Sequence, residues 1–335
     1  MTTYRRNAAN QLAGFTLVEI LIVIVIIGLL AGMTTTVVVS ARRSVNNSIV
    51  SSQMAQLSMA LDEYKNKYGE YPPDLSDSTA VMRHIKKRWP RYNVTYDQFL
   101  QHIQDGCRIS SGTVDDTGKS NRDGQYVWDV RAYVSPLVFW LGGLPDKHGV
   151  PSGFYASPKA PLGVSASGVP ISRPARAKKE KPFFSFEKKY LGAYTSQPDS
   201  ELGANYYYPP ADKNSLWDDS LGAYVYSPAF CQGDYPIVYF RPSVNMAYGA
   251  KFFYLTHSSD PTDGVSCAVP YAQDDSPTWY EEKRFQLIHP GDDGIFGSAN
   301  STDWRVVPSK QNTSLGDADN LTNFIDSGTL ESLYD

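Results

Sequence analysis

The chain has 335 residues, of which 41% are hydrophobic and 20% are charged, proportions that are typical of a globular protein. Its formal net charge of -4 argues against nucleic acid as a main partner, because phosphate binding requires a basic surface. The cysteines form no C-x-x-C pair and have no zinc-like spacing, so metal ligation by thiolates is not expected. One disulfide is compatible with an exported chain, and the pairing among Cys107, Cys231 and Cys267 stays open.

An apolar run at residues 15–39 follows a short polar segment, residues 1–14, which contains Arg5 and Arg6 and no acid. The run has about the length that spans a bilayer, and the two arginines predict a cytoplasmic N-terminus. Glu19 is the single acid in the run. Because an acid surrounded by lipid is costly, we expect Glu19 to have a partner. A secretory signal peptide is the alternative, although the run offers only a poor site for signal peptidase.

The residues at the start of this run carry a family resemblance. The sequence Gly14-Phe15-Thr16-Leu17-Val18-Glu19-Ile20 resembles the type III signal of type IV pilins and type II secretion pseudopilins. The resemblance implies that a prepilin peptidase cuts between Gly14 and Phe15, and that Phe15 becomes the N-methylated first residue. It also implies that Glu19 pairs with the α-amino group of Phe15 in a neighbouring subunit during assembly. An intramolecular pair between Phe15 and Glu19 is the alternative.

Beyond the apolar run, further apolar residues recur at helical spacing, which predicts that the same helix continues in amphipathic form. The members of this stripe are Val45, Ile49, Leu57, Leu61, Tyr64 and Tyr68. Gly69 and the following Tyr71-Pro72-Pro73 predict the end of the helix, so one helix is expected from Phe15 to about Tyr68. Threonines and valines lower the helix propensity of residues 34–39, where a continuous helix and local melting both stay open.

Three segments are therefore expected: a leader at 1–14, a transmembrane and amphipathic helix at 15–70, and a globular head at 71–335. The predicted fold class is α+β, with the long N-terminal helix packed on an antiparallel β-sheet. The head is predicted to contain helices at 78–89 and 96–104, an apolar segment at 134–141, a surface excursion or linker at 150–182, and strands at 236–241, 251–256, 284–288 and 304–307. A large loop-rich insertion at 105–235 has no predicted role. The basic helix at 78–89 is interpreted as a solvated face, with contact to DNA or anionic lipid as the alternative.

The C-terminal part of the head contains acidic loops. Its aspartates lie among glycines and asparagines, at positions Asp292, Asp293, Asp317, Asp319 and Asp326. Oxygen ligands of this kind suit calcium, and solvated turns are the alternative. The region is similar to the calcium-binding end of the major pseudopilin of type II secretion, apart from an insertion between the two loops. That resemblance implies calcium ligation by Asp293 and Asp319, completed by main-chain oxygens near Leu287 and His289.

The five histidines are scattered and no catalytic motif is present, so we expect no enzymatic activity. The resemblance implies a structural subunit that polymerises into a type IV pilus-like filament or a type II secretion pseudopilus. Its implied partners are further copies, other pilins, the prepilin peptidase and an inner-membrane assembly platform. Before processing it would cross the inner membrane once, with its head periplasmic, or extracellular once in a filament.

A minor pilin at a filament tip, acting as an adhesin or as a binding module for a secreted substrate or DNA, is the alternative function. An unassembled membrane protein is a third. The sequence leaves open whether the filament is a pilus or a pseudopilus, and whether the chain is a major or a minor subunit.

Overall fold

The structure is a computed structural model. It describes residues 16–74, 77–106, 136–146, 150–169, 171, 177–198, 205–208, 222–226, 236–242, 252–255, 265–273, 278–292, 294, 296, 318–325 and 328–333. Several predicted features lie outside these residues, namely Gly14, Phe15, Asp293, Asp317, Asp326, Cys107, Cys231 and the strand at 304–307. The chain divides into two compact units, residues 1–45 and 46–335.

The predicted long helix is present as α1, Leu17–Tyr68. It is continuous through residues 34–39, so helical hydrogen bonding prevails there over the low propensity of threonine and valine. It ends where the sequence predicts, because Gly69 adopts a left-handed φ of 78° and its N–H donates to the Lys65 carbonyl at 2.6 Å.

In the first unit, every described side chain from Thr16 to Val45 is exposed. The large apolar side chains between Leu17 and Leu30 expose from 46% to 82% of their surface. A helix that is apolar on all sides buries its surface against membrane or against other protein chains. Among the residues that the structure describes, no helix meets the length and apolarity required to cross a membrane.

The second unit begins with the amphipathic half of α1 and contains three shorter helices. These are α2, Ser78–Arg88, α3, Tyr96–Gly106, and α4, Pro136–Gly142. Asp77 caps α2 by accepting a hydrogen bond from the Thr79 N–H at 2.8 Å. The helices predicted at 78–89 and 96–104 are thus confirmed to within two residues. The apolar segment predicted at 134–141 contains α4, whose residues are all buried.

Eight strands form two sheets. They are β1, Leu191–Pro198, β2, Asn205–Tyr208, β3, Gly222–Tyr226, β4, Val238–Phe240, β5, Phe252–Leu255, β6, Val265–Ala268, β7, Gln286–His289, and β8, Leu321–Thr322. The order in the three-stranded sheet is β4-β7-β8, with antiparallel pairs throughout. The order in the five-stranded sheet is β3-β1-β2-β5-β6.

The α+β class is confirmed, but two details of the prediction are wrong. The five-stranded sheet is mixed, because β2 and β5 run parallel and pair Tyr207 with Tyr254. Two neighbouring strands that run parallel need a long connection between them. In this pair, β2 lies within the predicted insertion at 105–235 and β5 lies beyond it. The segment at 150–182 is also more than a surface excursion, since Pro151, Phe154 and Leu162 are buried in it.

The apolar core of the second unit joins the helices to the three-stranded sheet. It includes Met54, Leu57, Leu61 and Tyr64 of α1, Val81 and Ile85 of α2, Phe99 and Ile103 of α3, Leu137 to Leu141 of α4, Tyr239 of β4, Leu287 of β7 and Leu321 of β8. Within the predicted stripe of α1, Leu57, Leu61 and Tyr64 are buried and share one core with the antiparallel sheet. The prediction is wrong for Val45, which is exposed, and Ile49 and Tyr68 are only half-buried.

Candidate functional site

The start of α1 is held by a reciprocal pair of side chains. The Glu19 carboxylate accepts hydrogen bonds from the Thr16 N–H at 2.7 Å and from the Thr16 hydroxyl at 2.8 Å. In return, the Glu19 N–H donates to the Thr16 Oγ1 at 3.2 Å. A threonine followed three residues later by a glutamate is a capping box, which satisfies backbone donors that the first turn of a helix leaves open. Glu19 therefore has a local partner in the single chain, which sequence reasoning did not foresee.

The position of Glu19 is also informative. It lies in the first turn of α1, next to the predicted cleavage point and at the edge of the apolar run. A carboxylate at a helix N-terminus is favoured by the positive end of the helix dipole. The same place is within one turn of the amine that cleavage would create at Phe15. The first turn thus holds an exposed carboxylate in a fixed orientation, with the apolar surface of α1 directly behind it.

Of the two carboxylates predicted to bind calcium, the structure describes only that of Asp319. After β7 the chain turns at Gly291, whose φ is 63°, and the Asp319 Oδ2 accepts the Asp292 N–H at 2.7 Å. A Cβ atom at Gly291 would lie 2.4 Å from the Asp319 Cγ, so only glycine lets the turn approach this carboxylate. Asp293, the other predicted carboxylate ligand, lies outside the described residues.

The two predicted main-chain ligands lie in β7, beside this turn. The Leu287 carbonyl accepts the Asn323 N–H at 3.3 Å, and His289 pairs with Leu321 of β8. His289 is fully buried, and burial lowers its pKa to about 3, so its imidazole is neutral. Within the described residues, no group of three or more histidine, cysteine or acidic side chains is arranged to hold a metal ion.

Comparison with known proteins agrees with the N-terminal geometry. A family model described as the prokaryotic N-terminal methylation motif matches residues 11–35. The chain carries the hallmark of type IV pilin-like precursors. The match covers the predicted cleavage point, Glu19 and most of the apolar run, which confirms the family resemblance proposed from residues 14–20. No curated protein and no solved structure matches the chain.

The rest of the second unit is joined to α1 through the segment that follows the helix. The carbonyl groups of residues 71–73 accept, in order, hydrogen bonds from Arg241, Tyr239 and Trp140. The last two bonds measure 2.6 and 2.9 Å. Asp74 accepts the Arg241 N–H at 3.1 Å. The segment belongs to no sheet and its prolines have no N–H, so it cannot pair with another strand. Its carbonyl groups are satisfied by side chains from α4, from β4 and from the residue after β4.

Glu70, immediately before this segment, is surrounded by cationic and neutral donors. Its carboxylate lies 2.9 Å from the His84 Nδ1, 3.4 Å from an Arg241 nitrogen, and 3.9 Å from nitrogens of Arg83 and Lys87. The His84 hydrogen bond and the nearby cations hold the pKa of Glu70 at about 2, against the opposing effect of burial. Glu70 is thus ionised at all ordinary pH values.

A chain of hydrogen bonds leads from Glu70 into the core. Arg88 Nη1 donates to the Tyr64 hydroxyl at 2.8 Å, and that hydroxyl lies 2.7 Å from the His84 Nε2. Because a guanidinium only donates, the Tyr64 oxygen accepts from Arg88. A neutral His84 with its proton on Nδ1 would donate to Glu70 and accept the Tyr64 proton at Nε2. Burial lowers the pKa of His84, which agrees with this tautomer. We call Glu70, His84, Tyr64, Arg88 and Arg241 the Glu70 cluster.

Aromatic rings enclose the Arg88 guanidinium. Its central carbon lies 4.4 to 5.7 Å from the ring centroids of Tyr64, Tyr68, Trp89, Trp140 and Phe154. Cation–π attraction of this kind compensates a charge that is almost fully removed from water. The cluster thereby links α1, α2 and α4 around one charge.

The Glu70 cluster stabilises the fold and is not arranged for catalysis. A carboxylate, a histidine and a hydroxyl in series resemble an activated nucleophile, but Tyr64 is fully buried and burial raises its pKa. No substrate reaches such a hydroxyl. Sequence reasoning missed the cluster because its members are separated by up to 177 residues and carry no motif. The only available signal was the pair of prolines after α1, whose carbonyls required partners from elsewhere.

Proposed function

We propose that this precursor is a structural subunit that polymerises, after cleavage between Gly14 and Phe15, into a type IV pilus-like filament or a type II secretion pseudopilus. The observation that supports this proposal best is the exposed apolar surface of α1 behind the methylation motif. Such a surface requires membrane before assembly and neighbouring helices after it. In the assembled filament, the Glu19 carboxylate would pair with the Phe15 amine of a neighbouring subunit.

The proposed partners and location follow from the same arrangement. The prepilin peptidase would process the chain, an inner-membrane platform would assemble it, and copies or other pilins would surround its helix. Before assembly, the apolar run would cross the inner membrane once, with residues 1–14 in the cytoplasm and the head outside.

Mass spectrometry of the native N-terminus tests this function. We expect the mature chain to begin at Phe15 carrying one methyl group, and to retain residues 1–14 in cells that lack the prepilin peptidase. A Gly14→Glu variant, which places a charged side chain at the cleavage point, should keep its leader and remain outside filaments. A native chain that keeps its leader, or one that begins at another residue, would refute the proposal.

A minor subunit at the filament tip is the second candidate. The size of the head favours it, because residues 71–335 make up most of the chain and a bulky head crowds a helical lattice. In that role the head would bind a surface or a secreted substrate, whereas the net charge of -4 disfavours DNA. Abundance in purified filaments separates the two candidates, since a shaft subunit must outnumber every other component.

Calcium binding at the acidic turn is a further proposal. Asp293 and Asp319 would provide carboxylates, with main-chain oxygens of Leu287 and His289, and the approach of Gly291 to Asp319 fits a compact oxygen-lined turn. When bound, calcium would crosslink the two acidic loops. Chelator should lower the thermal unfolding temperature of the wild-type chain and have no such effect on Asp319→Asn. Equal insensitivity of both proteins to chelator would contradict the site.

A further inference from the structure

Two adjacent arginines mark the far end of the apolar part of α1. Arg42 and Arg43 are the only charged residues between Ile20 and Leu61, and both are exposed. The 22 residues before them, from Ile20 to Ala41, are apolar apart from two glycines, three threonines and Ser40. The residues after them, from Ser44 to Ser48, are polar apart from Val45. The pair therefore lies at a boundary between an apolar surface and a polar one.

The distance from this pair to Glu19 matches a bilayer. Because α1 is continuous, the 23 residues from Glu19 to Arg42 span about 35 Å at about 1.5 Å per residue. A tilt of about 20°, which is common for membrane helices, shortens the projection to about 32 Å. The hydrocarbon layer is about 30 Å thick. Glu19 and the arginine pair therefore reach opposite headgroup layers at the same time, and the charged residues bracket the hydrocarbon.

The positive charge of Arg42 and Arg43 is unusual for the exported side of the membrane, where the proposed function places them. Arginine and lysine are depleted from exported flanks of membrane helices, yet this flank has two arginines and no acid nearby. Arginine side chains are long enough to extend along the helix to the phosphate level, and a guanidinium binds phosphate oxygens in bidentate fashion. Adjacent helix positions differ by about 100° around the axis, so the two guanidinium groups serve two different sides of α1.

We propose that Arg42 and Arg43 form a binding site for anionic phospholipid headgroups, which seats α1 at a fixed depth in the membrane. This inference rests on the proposed function, since it requires α1 to be inserted. It also changes the expectation for Glu19. In the inserted single subunit the carboxylate lies at the cytoplasmic headgroup layer, capped by Thr16, and burial in hydrocarbon before assembly is avoided.

Lipid titration of the purified full-length chain in neutral detergent, followed by native mass spectrometry, tests the site. The probes are phosphatidylglycerol and phosphatidylcholine, which differ in net charge. Wild-type protein should prefer phosphatidylglycerol, and Arg42→Gln/Arg43→Gln should lower its affinity for that lipid about 30-fold, with about fivefold for each arginine. Affinity for phosphatidylcholine should change little.

A matched control removes two exposed cations from the head, as Lys86→Gln/Arg91→Gln. This control should bind phosphatidylglycerol like wild type. Unchanged phosphatidylglycerol affinity in Arg42→Gln/Arg43→Gln would overturn the inference. If that variant kept the lipid affinity and lost filament assembly, the arginines would serve a protein partner instead, which also overturns it. N-terminal sequencing of the same samples separates the two proposals, because a chain uncut after Gly14 would refute the proposed function alone.

Discussion

Replacing Tyr64 by phenylalanine tests the Glu70 cluster more directly than any other change, because it removes one oxygen and keeps the ring. That oxygen accepts from Arg88 at 2.8 Å and bonds His84 at 2.7 Å, and all three side chains are buried. The variant leaves an Arg88 N–H and the His84 Nε2 without their partner. Water cannot reach them easily, since Tyr64 and His84 are both fully inaccessible.

The expected loss of stability follows from these two orphaned groups. Leaving one buried polar group unsatisfied costs about 1–3 kcal/mol, and more when the group is charged. Two groups lose their partner here, the Arg88 N–H and the His84 Nε2, while the aromatic rings still stabilise the Arg88 charge. We therefore expect a decrease of about 3 kcal/mol in the free energy of unfolding. Tyr68→Phe is the matched control, because the Tyr68 ring packs against Tyr64 at 4.7 Å between centroids but its hydroxyl makes only a 3.4 Å bond to Glu180. We expect that control to lose less than about 0.5 kcal/mol.

Urea unfolding of the full-length chain in detergent, followed by tryptophan fluorescence, measures both variants. Trp140 lies 6.4 Å from the Tyr64 ring and stacks at 6.2 Å on Trp89, so the signal reports on this part of the core. The urea midpoint should fall for Tyr64→Phe while the slope of the transition stays constant. Equal midpoints for the Tyr64 and Tyr68 variants would refute the assignment of the hydrogen bonds and of the neutral His84 tautomer.

Three further predictions concern the two ends of the molecule and the same cluster. Glu19→Gln keeps the capping acceptor but removes the charge, so it should block assembly in a sheared-filament immunoblot while Thr16→Ala still assembles; a Gln variant that assembles would leave Glu19 only a capping role. Gly291→Ala should lower the free energy of unfolding by at least about 2 kcal/mol in urea titrations, through left-handed strain and contact with Asp319; a smaller loss would contradict the close approach. Stability should fall as the pH drops below 6.5, because the folded-state pKa of His84 is lowered, at up to about 1.4 kcal/mol per pH unit for this one histidine. The pKa of His289 is lowered as well, so His84→Gln should reduce the slope between pH 6.5 and pH 4.5 without abolishing it. Below pH 4.5 the contribution of Glu70 is also lost, and an unchanged slope above that pH would contradict the neutral state of His84.

Local patterns predicted the helices well because the physics of a helix is local. The end of α1 at Tyr68 follows from Gly69, and the start of α2 follows from the Asp77 cap. The pairing of β2 with β5 had no such signal, since the partners Tyr207 and Tyr254 are far apart in sequence. The strands of the insertion, β1 to β3, were also missed, because their tyrosines stand among small and polar residues without a clear apolar period.

The N-terminal site was predictable from sequence because cleavage and assembly require a continuous motif. Only the local role of Glu19 required the structure, which shows the carboxylate turned back onto Thr16. The Glu70 cluster shows the opposite case. Its members come from α1, α2 and the residues that follow α1 and β4, and Arg88 of α2 donates to Tyr64 of α1. No spacing in the sequence carries that information.

The proposed processing would change the charge balance at the two ends of the apolar helix. In a precursor that spans the membrane as proposed, Arg5 and Arg6 would lie on the cytoplasmic side and Arg42 and Arg43 on the other, so cations would hold both ends at headgroup layers. Cleavage after Gly14 would remove the first pair and leave an amine next to the Glu19 carboxylate, whose charges would cancel. The proposed cut thus loosens the cytoplasmic end while the outer end stays bound to lipid. A helix held only at its outer end is easier to draw out of the membrane toward a growing filament, which explains why cleavage would precede assembly.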